Sequence, residues 1–295
     1  MPEFTMPTES VAAIVITYHP DAEVLQNLAI LRPQVSELVV VDNGSGVPAM
    51  LRQAASRIGF HLLENPENLG IATALNQGIR HAQALSSEFV LLFDQDSRIT
   101  DGFIETMLHC FQIHPHGEHL GILVPQYTDM RLGTPLPRTI VGSSGLEVAM
   151  TSGSLLRTQT FVQHGPFVDE LFIDGVDHEH SLRLRRAGMF LAECPEAKLL
   201  HSPGTPQEFR LGGKVLFKTP NYSPIRRYYQ TRNNLWLFRH YFRSFPAYCT
   251  KLALASGKDF AKILFFESGK LKKIQHFLHG FFDGLRNRMG RHDPR

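Results

Sequence analysis

Two carboxylates that could hold a divalent cation follow a short apolar stretch in the first half of the chain. Residues 89–93 are aromatic or aliphatic, and Asp94 and Asp96 come directly after them. Such a run predicts a buried strand, and ligands of open α/β sheets bind at the carboxyl ends of the strands. Magnesium binds one or two carboxylates and completes its shell with water and substrate phosphates. The alternative is a polar turn in which Asp96 caps the next helix, and the spacing alone does not decide between the two.

The elements that must position these carboxylates alternate along the first hundred residues. Apolar runs at residues 11–17, 38–41 and 60–63 predict three further strands. Apolar residues at helical spacing predict intervening helices, one with Val24, Leu28 and Leu31 and another with Ile71, Ala74, Leu75, Gly78 and Ile79. This β-α alternation predicts an α/β fold whose mostly parallel sheet is covered on both faces. Residues 11–100 are therefore expected to form a nucleotide-binding half.

A third carboxylate, Asp42, follows the second predicted strand at the start of the run Asp42-Asn43-Gly44. At the carboxyl end of a strand it could accept hydrogen bonds from a nucleotide base or a ribose. An aspartate before Asn-Gly is also a common turn former. We favour binding, but both interpretations remain open on the sequence.

The second half of the chain is less regular. Ser152 and Gly153 offer a small hydroxyl and a close backbone approach, and residues 166–188 contain a dense acidic cluster. Ser223 and Pro224 are a typical helix start, and the helix is predicted to run to about Tyr241. Two further helical stretches follow Pro246, with apolar and basic residues interleaved.

Charge is distributed unevenly along the 295 residues. Net charge is +2, which gives no indication of nucleic-acid binding. Residues 239–295 contain 12 Lys or Arg and 4 Asp or Glu, net +8, so the first 238 residues carry −6. A basic tail behind an acidic body predicts a separate surface role for the tail, and a basic amphipathic helix is typical of membrane-surface binding. The alternative is a tail that packs on the body of the protein.

The cysteines and the hydropathy pattern indicate the cellular compartment in which the protein works. Cys110, Cys194 and Cys249 are odd in number and far apart, so they predict neither a disulfide framework nor a zinc site. This fits a reducing cytoplasm. The sequence shows no secretory signal and no apolar run of about 18 residues that would predict a membrane span. Residues 1–10 are expected to be a leader or a cloning remnant.

Several motifs in order resemble the nucleotide-sugar half of family-2 glycosyltransferases. They are Thr17-Tyr18, the VVVDNGS run at 39–45, Asn68-Leu69-Gly70 and the FDQDS run at 93–97. The acidic run from Phe167 to Glu179, with Arg183 and Gly188, resembles the acceptor motif of that family. His201-Ser-Pro-Gly204 and Tyr228-Tyr229-x-x-Arg232-Asn233 complete the set. The forms Asp-Gln-Asp-Ser and Phe-Ile-Asp-x-Val-Asp look most like the bacterial rhamnosyltransferases of the family.

This resemblance implies a GT-A fold over residues 11–241, in which a Rossmann-like half (11–100) merges with an acceptor half (101–241). The basic and apolar residues of 242–295 predict amphipathic C-terminal helices beyond it. It implies a nucleotide diphosphate sugar donor and a divalent cation, Mg²⁺ or Mn²⁺, that holds the diphosphate. The donor-binding positions it implies are Thr17, Tyr18, Asp42, Asn68, Gly70, Asp94, Gln95, Arg232 and Asn233. Asp96 is the expected metal ligand, with Asp94 and His201 as further candidates, and Ser152 and Gly153 are expected on the acceptor or sugar side.

The family's acceptor motif implies a general base at Asp177. Many members have Glu-Asp where this chain has Val176-Asp177, and Asp177 aligns with the second acid. Asp174 and Glu179 are the rival candidates on the acceptor side. A positioned carboxylate that deprotonates a sugar hydroxyl contributes typically about 10²–10⁴-fold to the rate.

The sequence therefore predicts a metal-dependent, inverting rhamnosyltransferase. It is expected to use dTDP-L-rhamnose and a saccharide or lipid-linked acceptor in surface polysaccharide synthesis, in the cytoplasm or on the inner face of the plasma membrane. The same chemistry with a UDP-hexose donor is an alternative, and a non-catalytic membrane-associated scaffold is another. A sugar nucleotidyltransferase is a further alternative, but it would need a Gly-rich phosphate loop where this chain has Thr17-Tyr-His-Pro.

Overall fold

The computed structural model describes residues 9–46, 49–129, 134–136, 140–141, 145–201, 207–211, 214–219 and 221–292, with only the backbone described for 140–141, 201, 207–211 and 214–218. The chain divides into two compact units. The first comprises residues 1–168 and 180–202, and the second comprises 169–179 and 203–295.

The first unit begins with the predicted β-α alternation. Its elements are β1 Val11–Thr17, α1 Glu23–Leu31, β2 Glu37–Asp42, α2 Ala49–Ala54, β3 His61–Glu64, α3 Ile71–Ala84 and β4 Phe89–Asp94. β1 and β4 are apolar and almost completely buried, as strands covered on both faces require. Helix α3 lies close to the sheet at Gly78, where a Cβ would stand 2.4 Å from Cγ2 of Ile14. The predicted strands and helices of this region are confirmed.

The remaining elements of this unit extend the same sheet. They are α4 Phe103–Gln112, β5 Leu120–Asp129, the short strands β6 Ile140–Val141 and β7 Gly145–Leu146, β8 Ser154–Arg157, α5 Thr158–His164 and β9 Phe190–His201. Helix α6, Val176–Arg186, is divided between the two units after Glu179. The predicted strand at residues 120–124 is confirmed and is longer than predicted.

Seven of the described strands form one sheet in the order β3-β2-β1-β4-β8-β5-β9. The pairs β3-β2, β2-β1, β1-β4 and β5-β9 are parallel, and β8 is antiparallel to both of its neighbours. The predicted α/β class with a mostly parallel sheet is therefore confirmed. Because β1 to β4 run in one direction, their carboxyl ends lie along one edge of the sheet.

The expectation that the cysteines form no disulfide is wrong for one pair. Cys110 at the end of α4 and Cys194 in β9 are joined by a disulfide, with their Cα atoms 6.0 Å apart. The two residues are 84 positions apart in the sequence, and they meet because α4 packs against β9 in the core. Cys249 is a free, buried cysteine.

The second unit is mostly helical. Its long helices are α7 Pro224–Tyr241, α8 Pro246–Phe265 and α9 Lys270–Leu285, and β10 Gln207–Leu211 pairs with β11 Lys214–Thr219. Ser223 caps α7 by accepting a hydrogen bond from the backbone N–H of Arg226, as predicted. Both predicted tail helices are present.

Buried charges connect the helices of this unit. Glu267, between α8 and α9, accepts hydrogen bonds from Arg227 of α7 at 2.6 Å and from Lys273 of α9 at 2.8 Å. All three side chains are almost fully buried. Removal of the Glu267 carboxylate would leave the buried Lys273 ammonium without its anionic partner, and breaking a buried pair in this way typically costs about 3–5 kcal/mol.

Helix α9 has two different faces. Gly280 and Gly284 lie against the backbone of α7, where added Cβ atoms would stand 2.3 Å from the carbonyl oxygen of Tyr228 and 3.1 Å from that of Arg232. The other face leaves large apolar side chains exposed, namely Leu271, Leu278, Phe281, Phe282 and Leu285. The tail therefore packs on α7, as one of the two interpretations predicted, and still presents an apolar surface. No described helix combines the length and the hydropathy needed to cross a membrane.

Gly280→Ala should destabilise the protein because the new methyl group meets the backbone of α7. Overpacking costs about 1–3 kcal/mol, and the intrinsic preference of helices for alanine recovers up to about 1 kcal/mol. The matched control is Gly257→Ala in α8, where a Cβ would meet nothing within 4 Å. Thermal unfolding monitored by circular dichroism should show a lower midpoint for Gly280→Ala and an equal or higher midpoint for Gly257→Ala. Equal midpoints for the two variants would contradict the close packing of α9 on α7.

Candidate functional site

The register of the sheet brings three predicted site residues to one edge. Thr17 of β1 pairs with Asp42 of β2, and Ile16 pairs with Asp94 of β4. Thr17, Asp42 and Asp94 therefore end three adjacent parallel strands, at the edge where such sheets bind ligands.

Asp42 is fully buried and organises the turn that follows β2. Its Oδ1 accepts hydrogen bonds from the hydroxyl groups of Thr17 at 3.1 Å and Ser45 at 2.6 Å, and its Oδ2 accepts one from the backbone N–H of Ser45 at 3.0 Å. The turn-forming role that the sequence left open is therefore present. These three hydrogen bonds use three of the roughly four acceptor sites of a carboxylate, and nucleotide binding by Asp42 stays a prediction.

An asparagine network joins this turn to the start of α3. Asn43 Oδ1 accepts from Asn65 Nδ2 at 3.1 Å and from the backbone N–H of Leu69 at 3.0 Å, while Asn68 Oδ1 accepts from the Gly70 N–H at 2.9 Å. Gly44 packs so closely on the Glu67–Asn68 peptide that a Cβ there would stand 2.2 Å from the carbonyl carbon of Glu67. Asn68 and Gly70 were predicted donor-binding residues. The sequence did not predict that Asn43 and Asn65 would hold this turn against α3, although the Asn-Gly dipeptide at 43–44 indicated a tight turn.

The loop after β4 connects back to β1. Gln95 Oε1 accepts a hydrogen bond from the backbone N–H of Tyr18 at 2.8 Å, and the Tyr18 side chain is about half exposed. Asp96 is exposed and has no hydrogen-bond or ion-pair partner among the described residues. The alternative in which Asp96 caps the next helix does not hold, because α4 begins at Phe103 with Gly102 at the capping position.

Ser152 and Gly153 lie next to this loop. The hydroxyl groups of Ser152 and Ser97 are 2.5 Å apart, and the backbone N–H of Gly153 donates to the carbonyl oxygen of Leu92 at 2.6 Å. Gly153 has φ +79°, and a Cβ there would stand 2.7 Å from Cγ of Pro125. The chain therefore needs a glycine at this position, which explains the close backbone approach that the sequence predicted.

The carboxylates of Asp94 and Asp96 fit the chemistry of a Mg²⁺ or Mn²⁺ site, since hard cations take one or two carboxylates together with substrate phosphates. The exposed, partnerless carboxylate of Asp96 is available to a cation. His201, the third candidate ligand, ends β9, and its side chain lies outside the described residues. Cys110 and Cys194 lie close to the Glu196 carboxylate, but the two cysteines are joined in the disulfide and supply no thiolate for a metal ion.

The three acidic candidates for the base, all in the second unit, differ in environment. Asp174 forms an ion pair with Arg226 at 3.1 Å; burial raises the pKa of its carboxyl group and Arg226 opposes that shift. Glu179 is buried and accepts a hydrogen bond from the Tyr241 hydroxyl at 2.7 Å. Asp177 lies half-buried in the first turn of α6 and accepts only from the backbone N–H of His178, at 2.9 Å, among the described residues.

His180, which follows the acceptor motif, is not available for proton transfer. Its ring is fully buried and packs against Phe161 and Phe167, with ring centroids 5.3 and 4.6 Å apart. Burial and the nearby Arg183 lower its pKa to about 3. The imidazole is therefore neutral at physiological pH.

Arg232 and Asn233 have a different environment from the one that phosphate binding requires. Both are completely buried. The Arg232 guanidinium donates to the carbonyl oxygens of Glu170 and Leu171, each at 3.1 Å, and to that of Gly290. The Asn233 amide donates to the carbonyl oxygens of Leu171, Ile173 and Asp174. The two side chains therefore hold residues 170–174 of the predicted acceptor motif, which we call the acceptor loop, and their N–H groups are taken up by carbonyl oxygens rather than free for a phosphate.

The chain is similar to known glycosyltransferases. The family model of glycosyl transferase family 2 matches residues 12–136. The dTDP-rhamnosyl transferase RfbF of Shigella flexneri is 31% identical over 246 residues, which cover 78% of this chain and 80% of that protein. Galactofuranosyltransferase GlfT1 of Mycobacterium tuberculosis H37Rv is 29% identical over 77% of this chain and 81% of its own length.

A solved structure shares the fold. The crystal structure of S. aureus TarS 1–349 in complex with UDP-GlcNAc superposes with a TM-score of 0.63 at 15% identity, covering 93% of this chain and 81% of that one. Identity this low supports likeness of fold alone, whereas the match to RfbF extends over most of both chains. The chain therefore belongs to glycosyltransferase family 2 and has the GT-A fold.

Proposed function

We propose that the protein is an inverting, metal-dependent rhamnosyltransferase that transfers L-rhamnose from dTDP-L-rhamnose to a saccharide or lipid-linked acceptor in surface polysaccharide synthesis. The observation that carries the proposal is the alignment of Thr17, Asp42 and Asp94 at the carboxyl edge of the sheet. The 31% identity to a dTDP-rhamnosyl transferase supports the choice of donor.

A different donor is the second candidate. A galactofuranosyltransferase matches nearly the same share of the chain, at 29% identity, and the TarS structure with a similar fold holds UDP-GlcNAc. The exposed Tyr18 ring and the Asp42 carboxylate are the groups that we assign to the nucleotide. A UDP-sugar in place of a dTDP-sugar would change the contacts at these two residues, while Asp94 and Asp96 would keep their role.

Asp96, with Asp94 and His201 as further candidates, would hold Mg²⁺ or Mn²⁺. Such an ion neutralises charge that develops on the leaving diphosphate. Asp96 suits this role because its carboxylate is exposed and has no partner among the described residues. Gln95, next to Asp96, accepts a hydrogen bond from the backbone N–H of Tyr18 at 2.8 Å. This contact holds the loop that carries Asp96 against the end of β1.

Donor binding should raise the temperature of unfolding in a metal-dependent way. With Mg²⁺ or Mn²⁺ present, dTDP-L-rhamnose should stabilise the protein more than UDP-glucose, UDP-galactofuranose or UDP-GlcNAc do. A ligand at 100 times its dissociation constant adds about 2.7 kcal/mol of apparent stability. Asp96→Asn should lose most of this shift, because an amide does not offset the charge of the cation. Differential scanning fluorimetry with each nucleotide sugar, with metal or with EDTA, measures the effect.

The matched control is Asp101→Asn, which removes an exposed carboxylate a few residues further along the same loop. It should keep the full metal-dependent shift. Equal protection of the parent protein in EDTA would refute the metal site, and greater protection by a UDP-sugar than by dTDP-L-rhamnose would replace the proposed donor.

Asp177 is our choice for the general base that takes the proton of the acceptor hydroxyl as its oxygen attacks the anomeric carbon. Two observations favour it over its rivals. Arg226 neutralises Asp174, and Glu179 is buried under the Tyr241 hydroxyl, whereas Asp177 is half-buried and keeps carboxylate lone pairs free among the described residues. A base needs both an accessible oxygen and a fixed position, and the first turn of α6 provides the latter.

Asp177→Asn should lower the rate of sugar transfer by about 100-fold or more, since that is the loss expected when a general base is removed. Donor affinity should stay within a few-fold, because the substitution keeps the size of the side chain. The measurement is single-turnover transfer with saturating donor, together with calorimetry of donor binding. Glu179→Gln and Asp174→Asn are the comparison variants and should retain more transfer activity. Near-parent transfer by Asp177→Asn would require another base.

We further propose that the apolar face of α9 binds the surface of an anionic membrane, which would place the enzyme peripherally on the cytoplasmic face. Leu271 is 85% exposed, and Leu278, Phe282 and Leu285 follow at helical spacing. Arg286 and Arg288 line a cavity with Phe282 at the end of the helix. Each such charge near an anionic surface adds about 1 kcal/mol of attraction.

The double variant Leu271→Ser, Leu278→Ser should bind phosphatidylglycerol-containing vesicles about tenfold more weakly, because less apolar surface leaves water on binding. The control is Ile113→Ser, Val162→Ser, which removes two comparably exposed apolar side chains from the first unit. Vesicle flotation at low and high salt measures binding, and added salt should weaken it for the parent protein. If the parent protein does not float with anionic vesicles at low salt, the proposed membrane contact is wrong.

A further inference from the structure

The C-terminal end of the second unit contains a cavity whose charged lining is mainly basic. Its volume is about 690 Å³, which is within the range of pockets that hold small organic ligands. The walls come from the start of α7, the last turns of α9 and the segment that follows α9. The charged and titratable lining residues are His279, Asp283, Arg286, Arg288, Arg291 and His292. We call this the arginine cavity.

Positive charge exceeds negative charge in the arginine cavity. Three arginines and one aspartate line it, so the lining carries +2 with both histidines neutral. The aspartate is already engaged, because Asp283 Oδ2 accepts a hydrogen bond from the Tyr228 hydroxyl at 2.8 Å and its Oδ1 lies 3.9 Å from Arg288. The guanidinium of Arg286 makes neither a hydrogen bond nor an ion pair with any of the described residues. The cavity therefore has cationic groups available to an anion.

The histidine at the end of the described chain is affected by the same excess of positive charge. Burial lowers the pKa of His292, and the nearby His276, His279 and Arg232 lower it further, while Asp283 opposes them. Neighbouring cations lower the pKa of a histidine because they disfavour a further positive charge. A bound anion would act in the opposite direction.

Backbone hydrogen bonds hold the segment that follows α9. The Gly290 N–H donates to the carbonyl oxygen of Glu170 at 2.8 Å, and the Gly290 carbonyl oxygen accepts from the buried Arg232 guanidinium. The His292 N–H donates to the Tyr229 hydroxyl at 2.8 Å. This wall of the cavity is therefore formed before a ligand binds, and preorganisation lowers the entropic cost of binding.

The number of guanidinium groups indicates a ligand that carries phosphate. Each guanidinium presents N–H donors in a planar fork that matches phosphate oxygens, and it keeps its charge at physiological pH. Where arginines supply the positive charge, the phosphates need no divalent cation. The volume suits a ligand larger than one phosphate, and the half-exposed ring of Phe282 offers a stacking surface to a planar base.

The position of the cavity on α9 favours a soluble ligand over a membrane lipid. The exposed apolar residues that we assign to the membrane are centred on Leu278. With 3.6 residues per turn, His279 and Arg286 lie about 80–100° around the helix from Leu278, and Phe282 lies between them. The arginine cavity therefore lies beside the apolar face of α9 rather than within it.

We propose that the arginine cavity binds a soluble ligand with a diphosphate group, of the size of a nucleoside diphosphate, and that it does so without a divalent cation. Arg286, Arg288 and Arg291 would contact the phosphate oxygens, and Phe282 would contact the base. The proposal depends neither on the identity of the sugar donor nor on the metal site at Asp96.

Isothermal titration calorimetry of the full-length protein, in EDTA and at low ionic strength, tests the ligand class. Inorganic pyrophosphate should bind about tenfold or more tightly than orthophosphate, because its two phosphate groups reach more than one arginine. dTDP should bind at least as tightly as pyrophosphate, since the cavity has room for the nucleoside beside Phe282. Dihexanoylphosphatidylglycerol below its critical micelle concentration presents a lipid headgroup in soluble form, and it should bind more weakly than either.

A pair of double variants locates the site. Arg286→Gln, Arg288→Gln should weaken both pyrophosphate and dTDP by about tenfold or more, since two charge-assisted contacts are lost. The matched control is Arg243→Gln, Lys272→Gln, which removes two exposed cations of the second unit that do not line the cavity. It has the same net charge and should bind as the parent does. All four side chains are exposed, so the fold should persist, and circular dichroism verifies this.

Five results would overturn the proposal: pyrophosphate binding no tighter than orthophosphate, dTDP binding tenfold weaker than pyrophosphate, equal weakening by the two double variants, tighter binding of the short-chain lipid than of pyrophosphate, or loss of pyrophosphate binding in Asp96→Asn. The last result would assign the diphosphate to the proposed donor site. Because these titrations contain neither metal nor nucleotide sugar, their failure would leave the metal-dependent donor binding intact. Failure of the donor experiment would likewise leave these results intact.

Discussion

Parallel pairing of β1 with both β2 and β4 is the constraint on which the rest of the candidate site depends. The pairing fixes Thr17 opposite Asp42 and Ile16 opposite Asp94. Side chains alternate between the faces of a sheet, so a slip of one residue would move each of these groups to the opposite face. Apolar residues that are buried on both faces of β1 and β4 prevent such a slip. The position of the carboxylates is thus a consequence of core packing.

Beyond the sheet edge, polar contacts shape the loops. Asp42 closes the turn after β2, and Asn43, Asn65 and Asn68 tie that turn to the start of α3. The acceptor loop is held in a comparable way by buried donors of α7. Asn233 donates to three of its carbonyl oxygens, and Phe172 and Asp174 have positive φ values of 65° and 62°, which side-chain-bearing residues adopt only when their surroundings require it.

The tail helices combine close packing on α7 with an exposed apolar face. The glycine face of α9 lies against α7 at backbone distance, and the buried Arg227-Glu267-Lys273 group joins all three helices of the unit. Packing of this kind leaves the opposite face of α9 free for apolar residues such as Leu271 and Leu278. Packing on α7 and binding to a membrane surface are therefore compatible. The structure shows the packing, and membrane binding is our proposal.

The sequence by itself determined the α/β class, the strands and helices of residues 11–94 and the carboxylates at their ends, because hydrophobic periodicity and turn residues are local signals. It also identified the family, since the motifs keep their order along the chain. Only the tertiary structure decided the contacts between residues that are distant in the sequence. Cys110 and Cys194 meet across 84 residues, and Arg232 and Asn233, which their sequence motif assigned to the nucleotide, are buried against the acceptor loop about 60 residues earlier. An arginine in a motif has the same chemistry whether it faces a phosphate or a row of carbonyl oxygens, and only the packing around it selects one of the two.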